Sequence, residues 1–174
     1  MGIQFETDYN METLTAMAKG LRKTVRKKRS RRVHIFSAVV LVLGLLTILA
    51  TTAGGEPLGA SGVVTLLAML VVILVSLFED KLNAWFARKR LLPGTEHAAA
   101  TFEEDGYVST TGVTESRFSY AQIVAVAETV RYFVFALSSH HTQAYDKRTI
   151  RGGSVEDFRA FIAEKTEKLV EKIK

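Results

Sequence analysis

The chain has 174 residues, 48 % hydrophobic and 24 % charged, with a net charge of +5 and no cysteine. That length holds one modest domain with additions, and the absence of cysteine excludes disulfides, thiol chemistry and Cys-type zinc centres. The charge is unevenly spread: residues 1–32 carry nine basic and three acidic side chains, residues 33–78 carry only Glu56, and residues from 98 onward are almost balanced with ten basic and eleven acidic.

At the N-terminus, Ile3, Phe5 and Thr7 alternate with polar residues, the period of a strand. A lone strand does not persist in water, so this one needs a sheet supplied from elsewhere in the chain. Met11, Leu14, Met17, Ala18, Leu21 and Val25 then recur at three and four, predicting a helix over 11–32 that turns basic toward its end.

Residues 33–52 (VHIFSAVVLVLGLLTILATT) and 60–78 (ASGVVTLLAMLVVILVSLF) are apolar runs of twenty and nineteen residues. At about 1.5 Å per residue each matches the roughly 30 Å hydrocarbon core of a bilayer. Between them AGGEPLG predicts a tight turn without basic residues, the mark of a translocated loop. Lys and Arg crowd the other ends, so both termini are expected in the cytoplasm. A cleavable signal peptide fits poorly, because the leader is long and polar and a second run follows closely.

The basic cluster Arg26, Lys27, Lys28, Arg29, Arg31 and Arg32 has no interleaved aromatics, so nucleic acid is not an expected partner. Membrane lipids are, with these residues at anionic headgroups. After the second run, Trp85 with Arg88, Lys89 and Arg90 reads as an interfacial anchor on a juxtamembrane helix over 79–94, ended by Pro93-Gly94. The alternative is that Trp85 packs on the soluble domain. Ser37, Gly44, Thr47 and Thr51 share one face of the first run, and Gly62, Thr65, Met69, Val72 and Ser76 one face of the second. Small residues let helices approach closely in lipid, so these stripes are the expected contact.

From residue 97 short β-rich runs follow one another. HAAATF and YVSTT flank an Asp105-Gly106 hairpin turn, then come TESRFSY, IVAVAET, YFVFALSS and TQAYDK. Gly152-Gly153 breaks the chain, and Ser154 with Asp157 forms a capping box for a closing helix. Val155, Phe158, Phe161, Ile162, Leu169 and Ile173 are expected on one face of that helix.

The stretches FEEDGYVSTTG, FSYAQIVAVAETVRYFVFAL, AYDKRTI and VEDFRAFIAEK resemble the C-terminal domain of YcxB-like bacterial membrane proteins. The resemblance covers roughly residues 98–170 and rests on the order of four short motifs: Phe102 to Gly106, Tyr120 to Ile123, Glu128-Thr129, and Asp146-Lys147-Arg148, where Asp146 stands in place of a common proline. It implies a pleckstrin-homology-like fold and no established activity. Such a domain has seven strands and six are countable after residue 97, so Ile3–Thr7 is expected to complete the sheet.

The expected fold is therefore a membrane α+β protein. It has an N-terminal strand and basic amphipathic helix over 1–32, a transmembrane hairpin over 33–78, a juxtamembrane helix, and a domain over 95–174. That domain is a small antiparallel pleckstrin-homology-like β-barrel or sandwich closed by a C-terminal helix, in a bacterial cytoplasmic membrane. His140 and His141 are adjacent, so on a strand they point apart, whereas in a loop they could meet a metal. Glu103, Glu104 and Asp105 flank a turn and are expected in solvent. No phosphate loop or nucleophile motif is present, so neither catalysis nor a cofactor is expected. Lys147, Arg148 and Arg151 form the basic patch of the domain, a headgroup or partner contact or simply a solvated turn, with Arg117 and Arg131 as possible additions. The expected function is membrane-tethered docking of a protein partner or a second copy; the alternative is sensing of anionic lipid.

Overall fold

The period of two in Ile3–Asp8 turns Ile3, Phe5 and Thr7 to one face, and all three are buried in the computed structural model, which describes residues 2–55 and 58–173. This strand, β1 (Ile3–Asp8), pairs antiparallel with β2 (His97–Phe102), setting Phe5 opposite Ala100 and Ile3 opposite Phe102. The expected completion of the sheet by the N-terminus is observed. β2 turns through Glu103–Gly106 into β3 (Tyr107–Thr111), which pairs with β4 (Glu115–Phe118), so the first sheet runs β1-β2-β3-β4. Gly106 is required there because a Cβ would lie 2.4 Å from the Phe118 carbonyl oxygen.

A second sheet holds β5 (Ala125–Glu128), β6 (Tyr132–Ala136) and β7 (Thr142–Asp146) in antiparallel array. Its fourth strand, β8 (Val170–Lys172), lies parallel to β5. Here the structure departs from expectation. The closing helix α5 (Val155–Thr166) carries the Ser154–Asp157 capping box but stops where Glu167 enters the left-handed region at φ 53°. Three of the residues that follow, Val170–Lys172, form β8, and Leu169 just before it is 89 % exposed instead of on the helix face. Among the described residues no strand is shared between the sheets, so the domain is two facing sheets; a closed barrel is not formed.

Both sheets contribute to one aromatic core. Phe102, Tyr107, Phe133, Phe135 and Tyr145 pack with Phe5 of the N-terminal strand and with Phe158 and Ile162 of α5. Every residue of β6 is buried because its other face is covered too: Tyr132 and Val134, with Ala127 and Ala144, meet Ala16 and Met17 of α1 (Met11–Lys23).

The α1 helix is shorter than its sequence pattern predicts. Asn10 caps it by accepting from the Glu12 and Thr13 amides at 2.9 and 3.0 Å. It ends at Thr24, whose backbone leaves the helical region (φ −103°, ψ −93°), and the Arg26 amide donates to the Leu21 carbonyl as the chain turns over Thr24–Arg26. The basic residues from Lys27 therefore belong to α2 (Lys27–Ala53), continuous with the first apolar run. Gly20 lets α1 approach β6: an added Cβ would sit 2.8 Å from a methyl of buried Val134. Gly20→Val should therefore destabilise the protein by about 1–3 kcal/mol, read as a lowered unfolding midpoint. Unchanged stability would show that α1 does not press on the sheet.

The second apolar helix, α3 (Ala60–Leu77), meets α2 through the expected stripe. Gly62, Thr65, Met69, Val72 and Ser76 are its partly covered positions, and Gly44 faces Met69 so closely that a Cβ would lie 2.8 Å from the sulfur. On α2 the partly covered positions include Ser37, Gly44, Ile48 and Thr51; Thr47 of the expected stripe is exposed and returns its hydroxyl to the Leu43 carbonyl. Glu56 and Pro57 of the expected turn lie outside the described residues. At about 1.5 Å per residue α3 spans about 27 Å, and no residue on it is buried by the rest of the chain. Both apolar helices are long and apolar enough to cross a membrane. The chain bends at Phe78 into α4 (Glu79–Lys89), which packs along α1 around fully buried Ala84.

Candidate functional site at the helix junction

Four helix ends meet where the apolar hairpin joins the domain. Arg22, in the last turn of α1, grips Asp80 in the first turn of α4 with two parallel bonds of 2.7 and 2.6 Å. Such a fork joins a planar guanidinium to a carboxylate with defined orientation. Glu79 lies 3.8 Å from Arg22 and 3.9 Å from His34 Nε2. The His34 Nδ1 sits 2.8 Å from the Ser30 carbonyl oxygen, one turn earlier on α2; that oxygen accepts, which places the proton on Nδ1. The acids in the first turn of α4 also suit the positive end of its dipole.

Arg26, at the turn between α1 and α2, reaches back to the domain. Its Nε donates to the Ser139 carbonyl at 2.6 Å and its Nη2 to His140 Nδ1 at 2.9 Å. Burial lowers its pKa and the neighbouring Arg29 lowers it further, against the opposing pull of Glu79. Of the basic cluster expected at lipid headgroups, Arg26 is thus bound to the β6–β7 loop, whereas Lys27, Lys28, Arg29, Arg31 and Arg32 are exposed on the first turns of α2. Trp85 is 45 % exposed, stacks edge-on with Phe86 at 4.9 Å and carries the Lys89 ammonium 3.6 Å above its ring. It does not pack into the domain core. Arg88 and Arg90 are exposed near it.

The two histidines take different neighbours. Ser138 Oγ accepts both their amides, His140 turns to Arg26, and His141 lies against Phe118. Among the described residues no three His, Asp or Glu side chains converge as a metal set.

Each cation of the patch Lys147, Arg148 and Arg151 lies beside a different acid. Lys147 donates to Glu128 at 3.0 Å and to the Thr129 carbonyl at 2.7 Å. Arg148 pairs with Asp146, and Arg151 lies 3.5 Å from Glu6. Glu128 also takes a two-pronged bond from Arg159 of α5 at 2.6 and 2.8 Å. The Arg159 bonds, helped by Lys147, hold its carboxyl down at about 2 against the opposing pull of burial. Arg131 shares Asp146 with Arg148 and reaches Glu12 of α1, whereas Arg117 is exposed on β4. In the core, the Tyr107 and Tyr145 hydroxyls both donate to Gln143 Oε1 at 2.7 Å; burial pushes both pKa values up, so they stay neutral.

These contacts explain the four short motifs. Phe102 and Ile123 are fully buried in the core, and Gly106 permits the close turn. Tyr120 donates to the Glu103 and Gly106 carbonyls, tying that turn down. Glu128 and Lys147 join β5 to the end of β7. Residues 102–162 match the family model described as YcxB-like protein. The YcxB-like region runs from the end of β2 into α5, so it includes both sides of the Glu128 ion network and leaves out the strand and helix that the N-terminus contributes. Within the matched residues Asp146 stands where the resemblance implied proline, and its amide donates to Thr7 Oγ1 of β1 at 3.1 Å, a bond proline cannot make. No curated protein and no solved structure matches the chain.

The sequence reading missed the Arg22–Asp80 fork and the Glu128 network. Arg22 and Asp80 are 58 positions apart, and Glu128 and Arg159 are 31 apart. No local spacing signals such pairs; an acid within the β-rich run AVAET was the only cue.

Proposed function

We propose that this protein is a membrane-anchored docking module that holds a pleckstrin-homology-like domain at the cytoplasmic face of a bacterial membrane and presents it to a protein partner or to a second copy. In this reading α2 and α3 cross the bilayer as a hairpin, and both termini stay inside with the basic residues. The observation that carries it is the junction: the domain is held by β1, by α1 and by the Arg22–Asp80 fork on both sides of the hairpin, so it is mounted as a platform and not tethered by a loose linker. A fixed orientation toward the membrane suits recognition, because a partner then meets one surface at a set height. The apolar helices, exposed on their outer faces, and the Lys and Arg at their inner ends support the membrane placement.

Because the chain has no cysteine, single-cysteine variants report topology without background. In spheroplasts, Ser61→Cys should react with a membrane-impermeant maleimide, and Thr110→Cys only after permeabilisation. Equal reactivity of the two would refute the hairpin. Extracted in mild detergent, the full chain should run as a defined assembly with a second copy or a stoichiometric partner. A monomer with nothing bound at every extraction condition would refute the docking role.

A further inference from the structure

A cleft of about 350 Å³ opens between α1, α4 and the β6–β7 loop, at the root of both apolar helices. Met17, Phe86 and Leu14 form its apolar wall, and its polar wall sets three arginines, Arg22, Arg26 and Arg90, with His140 against one acid, Glu79. This volume lies in the range of small-molecule sites, which combine apolar walls with a few placed polar groups.

Arg26 is the unusual member. Among the described residues four arginines are half-buried, and Arg22, Arg131 and Arg159 each rest on a carboxylate. Arg26 rests on none: its partners are a carbonyl and an imidazole nitrogen, both neutral acceptors. Those two bonds fix the plane of the guanidinium through Nε and Nη2, leaving Nη1 without a protein hydrogen bond among the described residues. Arg90, at the end of α4, likewise has no carboxylate within 4.0 Å among the described residues. The one acid in the cleft wall, Glu79, lies beside Arg22 and His34, and Asp80 is taken by the Arg22 fork, so Arg26 and Arg90 have no carboxylate of their own among the described residues. A partly buried guanidinium in such a setting is stabilised by an anion, and the planar fork suits phosphate oxygens.

Position narrows the source of that phosphate. Arg26 directly precedes α2 and only Phe78 separates α3 from Glu79, so in the hairpin reading, on which this inference rests, the cleft lies at headgroup depth. We propose that the cleft binds the phosphate of an anionic phospholipid headgroup, held by Arg26 and Arg90 with Phe86 and Met17 against its apolar part.

The test uses the full chain in non-ionic detergent, titrated with soluble dihexanoylphosphatidylglycerol. Trp85, the single tryptophan, reports binding because its ring touches Phe86. The emission change should saturate, and dihexanoylphosphatidylcholine and inorganic phosphate should each bind at least about tenfold more weakly. Arg90→Ala removes one charge, and Arg26→Lys keeps the charge but loses the fork; each should weaken binding by about tenfold, the size of one charged hydrogen bond. Lys172→Ala, exposed on β8 and outside the cleft, should change nothing. Equal response to the zwitterionic lipid, or unchanged affinity in both cleft variants, overturns the site. Inorganic phosphate binding as well as the lipid overturns the lipid assignment and makes the ligand a soluble anion. Soluble lipid in detergent requires no bilayer, so the result stands apart from the cysteine-labelling outcome.

Discussion

Glu128→Gln should cost about 3 kcal/mol of folding stability, one of the two largest single-residue effects expected in the protein. Glu128 is 6 % exposed and neutralises Lys147 and Arg159 together, and the amide would leave Lys147 without its acid and Arg159 with only the exposed Glu156, 3.7 Å away. The same residue sets the acid limit of the fold. Its carboxyl titrates at about 2 in the folded protein, against about 4.3 when unfolded. A depressed value means that the unfolded chain binds the extra proton between those limits. The stabilisation is therefore complete above pH about 4.3 and is lost as pH falls through about 2, on the order of 3 kcal/mol in all. Thermal unfolding followed by the near-ultraviolet signal of the buried tyrosines should show wild-type stability falling across that window and the variant falling much less. A variant melting within a degree of wild type at pH 7, or with the same acid slope, would remove Glu128 from this role.

Phe5→Ala should cost about 3–5 kcal/mol, the range for truncating a buried aromatic. Phe5 is 1 % exposed, and its ring lies 4.6 Å from Phe158, 5.7 Å from Phe102, 5.7 Å from Tyr145 and 6.5 Å from Phe133, so one residue of the leader touches both sheets and the closing helix. It follows that residues 95–174 alone lack a strand and a core side chain, and that fragment should show no cooperative unfolding transition. Restoring residues 1–10 through a flexible linker should bring the transition back. A fragment of 95–174 that melts cooperatively within a few degrees of the full chain would show that β1 is an accessory to the domain.

Local chemistry announced much of this architecture. The two apolar helices, the Asp105-Gly106 turn, the Ser154 cap and the alternation in Ile3–Asp8 each depend on neighbours within a few positions, and each lies where the residues predict. The pairing of β1 with the domain was expected from the alternation that leaves one face in need of cover and from the seven strands the family resemblance implies, although with β8 the two sheets hold eight. The apolar spacing predicts α1 past its end because Val25 keeps the period; the helix stops at Thr24, whose backbone leaves the helical region, while Gly20 against Val134 and Arg22 on Asp80 hold its last turn in place. The end of α5 shows the same competition: residues 167–173 have helical spacing, but β5 offers an open edge whose backbone groups need partners, and the chain becomes β8.

The charges were the least readable part. Composition separates a basic leader from a balanced domain, because net charge is a sum over residues that needs no geometry. Which cation meets which acid is a matter of a few ångströms between residues far apart in the chain. Only the folded arrangement puts Lys147 on Glu128, Arg22 on Asp80 and Arg26 on neutral acceptors. Apolar burial reads from periodicity because it is additive and non-directional; hydrogen bonds and ion pairs are directional, so the tertiary structure had to place them.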